Sequence, residues 1–346
     1  EGQAVVGAPP DLVFVTGSDV TGKAILGAAA ESLTPVIMEL GGKDAMVVLE
    51  DADVDAAAKW GVWAANYHSG QVCMSVERLY VVEAVYDRFV EAVKREVGKF
   101  KIGYTPDIDS PYNCGPITFP RQLEIIEDHV QDALAKGAKV VAGGGKSKGM
   151  FVEPTVLTDV THEMKIMRRE TFGPCMPIMK VKDEAEAIRW ANDSEYGLTA
   201  SVWSQDLHRA ERVGHQLEAG TIVINDAMVS YAVTELPFGG VKKSGNGRMH
   251  GPEEVLQFTQ LKGYAIGQVP FPFDVATILR KPGHYSDMKA MTKLAFGNWR
   301  QRREAVSDFL KKNESAAVFV RIGAMTVAAL VTTTAIAFAV LHCKKQ

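Results

Sequence analysis

At 346 residues and 47% hydrophobic content, the chain is long enough for two domains or one large one and can fill a sizeable core. Its net charge of −4, with both signs interspersed, leaves no basic footprint for nucleic acid. Four cysteines (Cys73, Cys114, Cys175 and Cys343) stand far apart with neither CxxC nor Cys/His ligand spacing, which argues against a disulfide framework or a zinc site and for a reducing compartment. Residue 1 is Glu and no signal-like segment precedes the first strand, so the chain reads as a fragment or a processed product.

The first apolar run, Asp11 to Thr16, predicts a buried strand ending at Gly17. Ser18 and Asp19 then cap a helix through Ala24 to Ser32. Val36 to Met38 and Ala45 to Leu49 are short strands, and the Ala-rich stretch from Asp51 to His68 is a helix. Arg78 to Val82 is a strand, followed by an amphipathic helix from Tyr86 to Phe100, a loop over Gly103 to Pro116, and a helix from Arg121 to Lys136. Strands are expected at Lys139 to Ala142 and Phe151 to Leu157. The rhythm then repeats: strand Met176 to Val181, helix Asp183 to Ala191, strand Thr199 to Trp203, helix Leu207 to Leu217, strand Thr221 to Asn225. This alternation predicts an α/β fold with a mainly parallel sheet. The glycine cluster from Pro237 to Gly247 reads as a long irregular loop, Glu253 to Phe258 as a short helix and Leu261 to Ile266 as a strand.

The tail changes character. His284 to Lys312 reads as one or two basic amphipathic helices suited to a bilayer surface. Ile322 to Leu341 is free of charge, about 30 Å as a helix at roughly 1.5 Å per residue. Arg321 precedes it; His342, Lys344 and Lys345 follow, so it reads as a transmembrane helix.

Two glycine-flanked turns carry the chemistry. Glu39 opens Glu39-Leu40-Gly41-Gly42-Lys43, and Cys73 closes Gly70-Gln71-Val72-Cys73, 34 residues later. A thiol with a nearby carboxylate is the minimum kit for covalent catalysis with an acid–base partner. A Glu among apolar neighbours such as Met38 and Leu40 would have a raised pKa, suited to activating water. On so tight a turn as that at Cys73, a neighbouring backbone N–H can face developing oxyanion charge. His68 is a second candidate base, although a His at a helix end is more often a surface or cap residue. Gly17 to Lys23 nearly matches the phosphate loop G-x-x-x-x-G-K-[ST], but position 24 is Ala, which lacks the magnesium-holding hydroxyl. The other reading is a strand–turn–helix at which a dinucleotide approaches the helix N-terminus. Glu170, before Phe172-Gly173-Pro174, could bond ribose hydroxyls, with Phe172 against an aromatic ring; Asn225 and Phe238 could line a pocket or serve as a strand cap and a core aromatic.

Taken in order, Gly17-x-x-x-x-Gly22, Glu39 to Lys43, Gly70 to Cys73, Glu170-x-Phe172-Gly173-Pro174, Asn225, and Pro237-Phe238-Gly239-Gly240 with Ser244-Gly245 resemble the aldehyde dehydrogenase superfamily over Asp11 to Ile266. The resemblance implies oxidation of an aldehyde by NAD or NADP, with Cys73 as nucleophile and Glu39 activating water. Gly17, Ser18, Gly22, Leu40, Glu170 and Phe172 would stand on the cofactor side, Asn225 and Phe238 on the substrate side, with no metal. It further implies an N-terminally truncated member: residues 1–38 as a remnant of a partial Rossmann-type cofactor domain, 39–252 as the catalytic domain and 253–270 as a helix and oligomerisation strand of a homodimer; the tail pattern, outside the family's common soluble form, adds 271–315 as an amphipathic linker and 322–341 as the membrane anchor. The expected protein is a single-pass membrane enzyme with its catalytic domain in the cytosol and an aldehyde as substrate, a lipid-derived one on the strength of the anchor alone. The alternatives are a catalytically impaired membrane-tethered scaffold and a cofactor-free thiol esterase.

Overall fold

The computed structural model describes residues 2–144, 147–266, 280, 282 and 284–312. They fall into two units, divided between Leu261 and Lys262.

The first unit begins with helix α1 (Gly2–Gly7), strand β1 (Val13–Thr16), helix α2 (Asp19–Ala30) and strand β2 (Val36–Glu39). The Ser18 side chain caps α2 by accepting from the Thr21 N–H, as its position before the apolar run predicts. Strand β3 (Asp44–Val48) and helix α3 (Val54–Asn66, capped by Asp53) lead to β4 (Val76–Val82), α4 (Glu83–Val97) and α5 (Pro120–Ala135). Then come β5 (Lys139–Ala142), the short strands β6 (Ser147–Lys148) and β7 (Phe151–Val152), β8 (Thr155–Thr158), α6 (Lys165–Arg168), β9 (Cys175–Val181) and α7 (Glu184–Asn192). The unit closes with β10 (Tyr196–Gly197), β11 (Thr199–Trp203), α8 (Leu207–Gly214), β12 (Thr221–Ile224), β13 (Val241–Lys242), β14 (Gly245–Asn246) and α9 (Gly251–Gln257).

Among the described residues, seven strands form the main sheet in the order β12-β11-β3-β4-β9-β8-β5. All neighbours are parallel except β5, which runs antiparallel to β8 at the edge. Side chains alternate between faces, so each central strand feeds two cores. Met46 and Val48 of β3 with Leu79 and Val81 of β4 join one core, with the alanines of α3 and the apolar face of α4. Ala45, Val47, Tyr80 and Val82 join the other, with residues of α5, α7 and α8. All seven residues of β4 are buried, as a central strand covered on both faces requires.

A second, three-stranded sheet of order β1-β2-β14 lies at the front. Strand β1 is parallel to β2, with Thr16 opposite Glu39, and β14 is antiparallel to it, with Gly245 opposite Glu39. Four residues, Leu40 to Lys43, carry the chain from this sheet into the main one. Glu39 therefore sits at the seam between two sheets.

The structure corrects three expectations. The stretch Phe151 to Leu157 is two strands split at Pro154, which has no N–H to give a ladder. Within the glycine cluster, β13 pairs with β10 and β14 pairs with β2, so it stitches elements together. Strands of two residues leave no alternation to read in the sequence. No strand forms at Leu261 to Ile266 among the described residues, because a strand exists only by pairing and none of the described strands pairs with these residues.

In the second unit, helices His284–Phe296 and Trp299–Lys312 form a hairpin, as the basic amphipathic pattern suggested. Asn298 and Gln301 exchange backbone and side-chain hydrogen bonds, both 3.0 Å, a capping box that starts the later helix. Lys293 pairs with Glu304 across the hairpin at 3.2 Å. The run 322–341 lies outside the described residues; among those that are described, no helix is long and apolar enough to cross a membrane.

Candidate active site

The seam turn is built to be approached from two sides. A Cβ on Gly41 would stand 2.4 Å from Oε2 of Glu170, and one on Gly42 would stand 2.2 Å from the carbonyl oxygen of Cys73. Only glycine lets both loops close on the turn. The Gly42 N–H donates to Oε1 of Glu170 at 3.0 Å, which fastens one of them.

The other loop carries the thiol. After α3 the backbone turns left-handed at His68 (φ 51°), Ser69 (φ 58°) and Gly70 (φ 72°). For His68 and Ser69 that conformation costs on the order of 1–2 kcal/mol each, so cross-links must hold it. The Ser69 hydroxyl donates to the Gly115 carbonyl at 2.8 Å. The Gln71 amide donates to Pro116 O at 3.2 Å and accepts from Thr118 N at 2.9 Å. Gly70 packs against the Gly173 carbonyl, where a Cβ would lie 2.3 Å away. His68 itself is exposed at the helix end, and among the described residues its ring makes no hydrogen bond.

Cys73 is half-buried, and its thiol and the Glu39 carboxyl are close enough that each shifts the other's pKa; Oε1 of Glu39 has no hydrogen-bond partner among the described residues. The structure thus joins the two residues that the sequence placed in separate turns. Among the described residues the Cys73 N–H has no acceptor, which leaves it free for an oxyanion. Burial, then the charges of Glu39 and Asp44, pushes the thiol pKa up, so the resting group is a thiol. Burial likewise raises Glu39, partly offset by the neighbouring thiol. A carboxyl of raised pKa beside a thiol has the chemistry of a proton acceptor for it.

On the opposite side, Gly17 donates its N–H to the Glu39 carbonyl at 3.1 Å, which brings the N-terminus of α2 to the seam. Ser18 caps that helix, and Gly22 packs under Leu40, where a Cβ would lie 2.8 Å from a methyl carbon. Gly22 and Leu40 act here as packing partners that set the angle of α2. Lys23 pairs with Asp19 at 2.9 Å, one turn along the helix. Glu170 has its pKa raised to about 8 by burial and by the nearby Glu77 carboxylate. Its Oε2 has no hydrogen bond among the described residues and can accept from hydroxyls. A helix N-terminus, a carboxyl with a free oxygen, and the half-buried Phe172 fit the nicotinamide riboside and phosphates of NAD or NADP.

Beneath Glu170 lies a buried network whose role the sequence did not disclose. Lys43, quoted there only as part of a motif, is buried and pairs with Glu77 on β4. Its ammonium also donates to Thr171 Oγ1 at 3.0 Å. A Glu and an Arg inside the otherwise apolar Val76–Val82 strand were the available signal. Arg78 donates to the Lys43 carbonyl at 2.7 Å and to backbone carbonyls of α7.

The surroundings of Phe238 are aromatic. Phe238 is buried, with the Tyr231 ring 4.9 Å away edge-on and the His250 ring 4.8 Å from Tyr231. Phe238 and Glu39 line the same small cleft, and the charges of Cys73 and Glu39 act on Tyr231. Tyr231 and His250 were missed, since nothing in their local sequence marks them. Asn225 does not share in this: its amide accepts from Ser204 N at 3.0 Å and donates to Ser204 O at 2.8 Å, a strand-end clamp.

The sequence profile of the Aldehyde dehydrogenase family matches residues 2–264. This chain belongs to the aldehyde dehydrogenase family. It is 48% identical over 258 residues to 4,4'-diapolycopene aldehyde oxidase of Methylomonas sp, covering 75% of this chain and 48% of that protein. It is 39% identical over 254 residues to the NADP(+) succinate-semialdehyde dehydrogenase of Escherichia coli (strain K12), covering 73% and 52%. The structure of betaine aldehyde dehydrogenase from Staphylococcus aureus in complex with NAD+ superposes with a TM-score of 0.70 at 36% identity, covering 74% of this chain and 52% of that one. The α/β fold of this aldehyde dehydrogenase chain is therefore shared with its solved relatives. The chain spans about half the length of the curated relatives it matches.

Proposed function

We propose that the protein containing this chain oxidises an aldehyde to a carboxylic acid with NAD or NADP, using Cys73 as nucleophile and Glu39 as base. The observation that carries the reading is the close packing of the Glu39 turn on the Cys73 turn at the seam of the two sheets, where the thiol and the carboxyl act on each other's pKa. Glu39 takes the thiol proton as sulfur bonds to the aldehyde carbon, and the carbonyl electron pair moves to oxygen against the Cys73 N–H. NAD or NADP, when bound, supplies the hydride acceptor that leaves a thioester on Cys73. Glu39 then gives the thiol's proton up to solvent and, as carboxylate again, removes a proton from water as the water oxygen attacks the thioester carbon. The carbon–sulfur bond breaks, the acid departs, and the sulfur recovers a proton. Gly17, Ser18, Glu170 and Phe172 would hold the cofactor, and the rings of Tyr231, Phe238 and His250 would flank the aldehyde.

The remaining reading concerns place and partner. The uncharged run 322–341 between cations supports a single-pass anchor with the catalytic part in the cytosol, and the basic hairpin His284 to Lys312 supports contact with the bilayer surface. An anchored enzyme of this kind would meet a lipid-derived aldehyde, and would act as a homodimer.

Reduced-cofactor formation with fatty and short aldehydes, compared between the unsubstituted protein and Cys73→Ala, tests the chemistry. Turnover only with Cys73 present is expected; equal turnover by the variant ends the thiol mechanism. Hydrolysis of an activated ester without NAD or NADP, and no aldehyde oxidation, would instead select a thiol esterase. Alkaline extraction of membranes carrying the protein with and without residues 322–341 tests the anchor.

A further inference from the structure

The loop between α6 and β9 presents Glu170 and Phe172 on either side of Thr171, and one carboxylate holds its backbone. Thr171 N donates to Oε2 of Glu77 and Phe172 N donates to Oε1, both at 2.8 Å. Lys43 pairs with the same carboxylate from the seam turn and also donates to the Thr171 hydroxyl. The Gln122 amide donates to the Thr171 carbonyl at 2.7 Å, and His129 Nδ1 lies 3.2 Å from its hydroxyl. Thr171 is thus gripped at its N–H, carbonyl and side chain. Glu77 is 2% exposed and stands four residues beyond Cys73, at the start of the strand that the thiol turn feeds.

Phe172 needs such a grip. Its backbone is left-handed (φ 49°), a region that costs a non-glycine residue roughly 1–2 kcal/mol. A charged acceptor taking two successive N–H groups is among the stronger ways to impose it.

We propose that Glu77 is a positioning residue of this active site: by holding the N–H groups of Thr171 and Phe172 against Lys43, it sets where Glu170 and Phe172 stand for the nicotinamide riboside of NAD or NADP. The proposal rests on the dehydrogenase reading above. It separates Glu77 from the acyl chemistry, which Cys73 and Glu39 carry.

The test uses the full polypeptide and measures the cofactor dissociation constant by protein fluorescence, the two KM values, and alkylation of Cys73 by iodoacetamide without cofactor. Glu77→Gln alone leaves the buried Lys43 ammonium without its counter-charge, so the double variant Lys43→Met/Glu77→Gln, which removes both charges, is compared with it. Expected is a rise in cofactor dissociation constant and cofactor KM of about tenfold or more, the scale of one lost charge-assisted bond, with aldehyde KM and Cys73 alkylation changed less than about twofold. Unchanged cofactor binding in the folded double variant overturns the proposal alone. A parallel fall in cofactor binding and Cys73 alkylation also overturns it, because the damage would then be general. Absence of cofactor binding by the unsubstituted protein overturns the dehydrogenase reading as well. Amide exchange of the unsubstituted protein gives a check that needs no variant: Thr171 and Phe172 N–H should be protected before cofactor is added, and rapid exchange there overturns the proposal.

Discussion

The Gly42 α-carbon and the Cys73 carbonyl are in such close contact that a Cβ on Gly42 would lie 2.2 Å from the oxygen. That contact locks the Glu39 turn to the Cys73 turn. Gly42→Ala should therefore push Cys73 away from Glu39, lowering kcat steeply and costing about 1–3 kcal/mol of stability, as overpacking of a tight site does. Urea titration reads the stability and initial rates read the displacement. A variant with unchanged kcat would show that the two turns move independently.

Glu39 is raised above its ordinary value of 4.5, chiefly by burial. It must be deprotonated to accept a proton from the thiol or from water, so the acidic limb of the pH–kcat profile should rise through a pKa above that value. Glu39→Gln should remove this limb and lower kcat by about 10²–10⁴-fold, the usual worth of a positioned base. Pre-steady-state release of acid after a burst of reduced cofactor is the measurement. A burst followed by slow turnover places the loss in thioester hydrolysis.

The Cys73 thiol is held protonated by burial and by the carboxylates around it. In cofactor-free protein, iodoacetamide alkylation of Cys73 should be slow at neutral pH and should climb across the accessible alkaline range without a plateau. Mass spectrometry of the labelled peptide follows the rate. A plateau near neutrality would mean that some cation offsets the carboxylates.

Glu170 moves from an ordinary 4.5 to about 8 in the folded chain. A carboxyl whose folded pKa is raised favours folding while protonated, so its contribution is present below about 4.5 and is lost as pH rises through about 8. Glu170→Gln should flatten the fall in melting temperature across that window in cofactor-free protein. An equally steep fall would assign the pH dependence to other groups, of which the buried Asp44, also raised well above its ordinary value, is the first.

How much of this was legible varies with range along the chain. Ser18 before an apolar helix, the unbroken apolar run of β3, and the Gly-bounded Glu39, Cys73 and Glu170 are all local patterns. Cap chemistry, hydrophobic period and the backbone freedom of glycine act over a few residues, so the sequence by itself determined the alternating α/β elements, the family and which turns carry reactive groups. What only the tertiary structure decided is who meets whom: Glu39 with Cys73 at the seam of two sheets, Glu77 with Lys43 and the Thr171–Phe172 backbone, Tyr231 and His250 beside Phe238, and β14 against β2. It also turned Asn225 into a clamp on Ser204. Hydrogen-bond partners and the burial that shifts a pKa depend on residues distant in the chain, and no short window of sequence contains them.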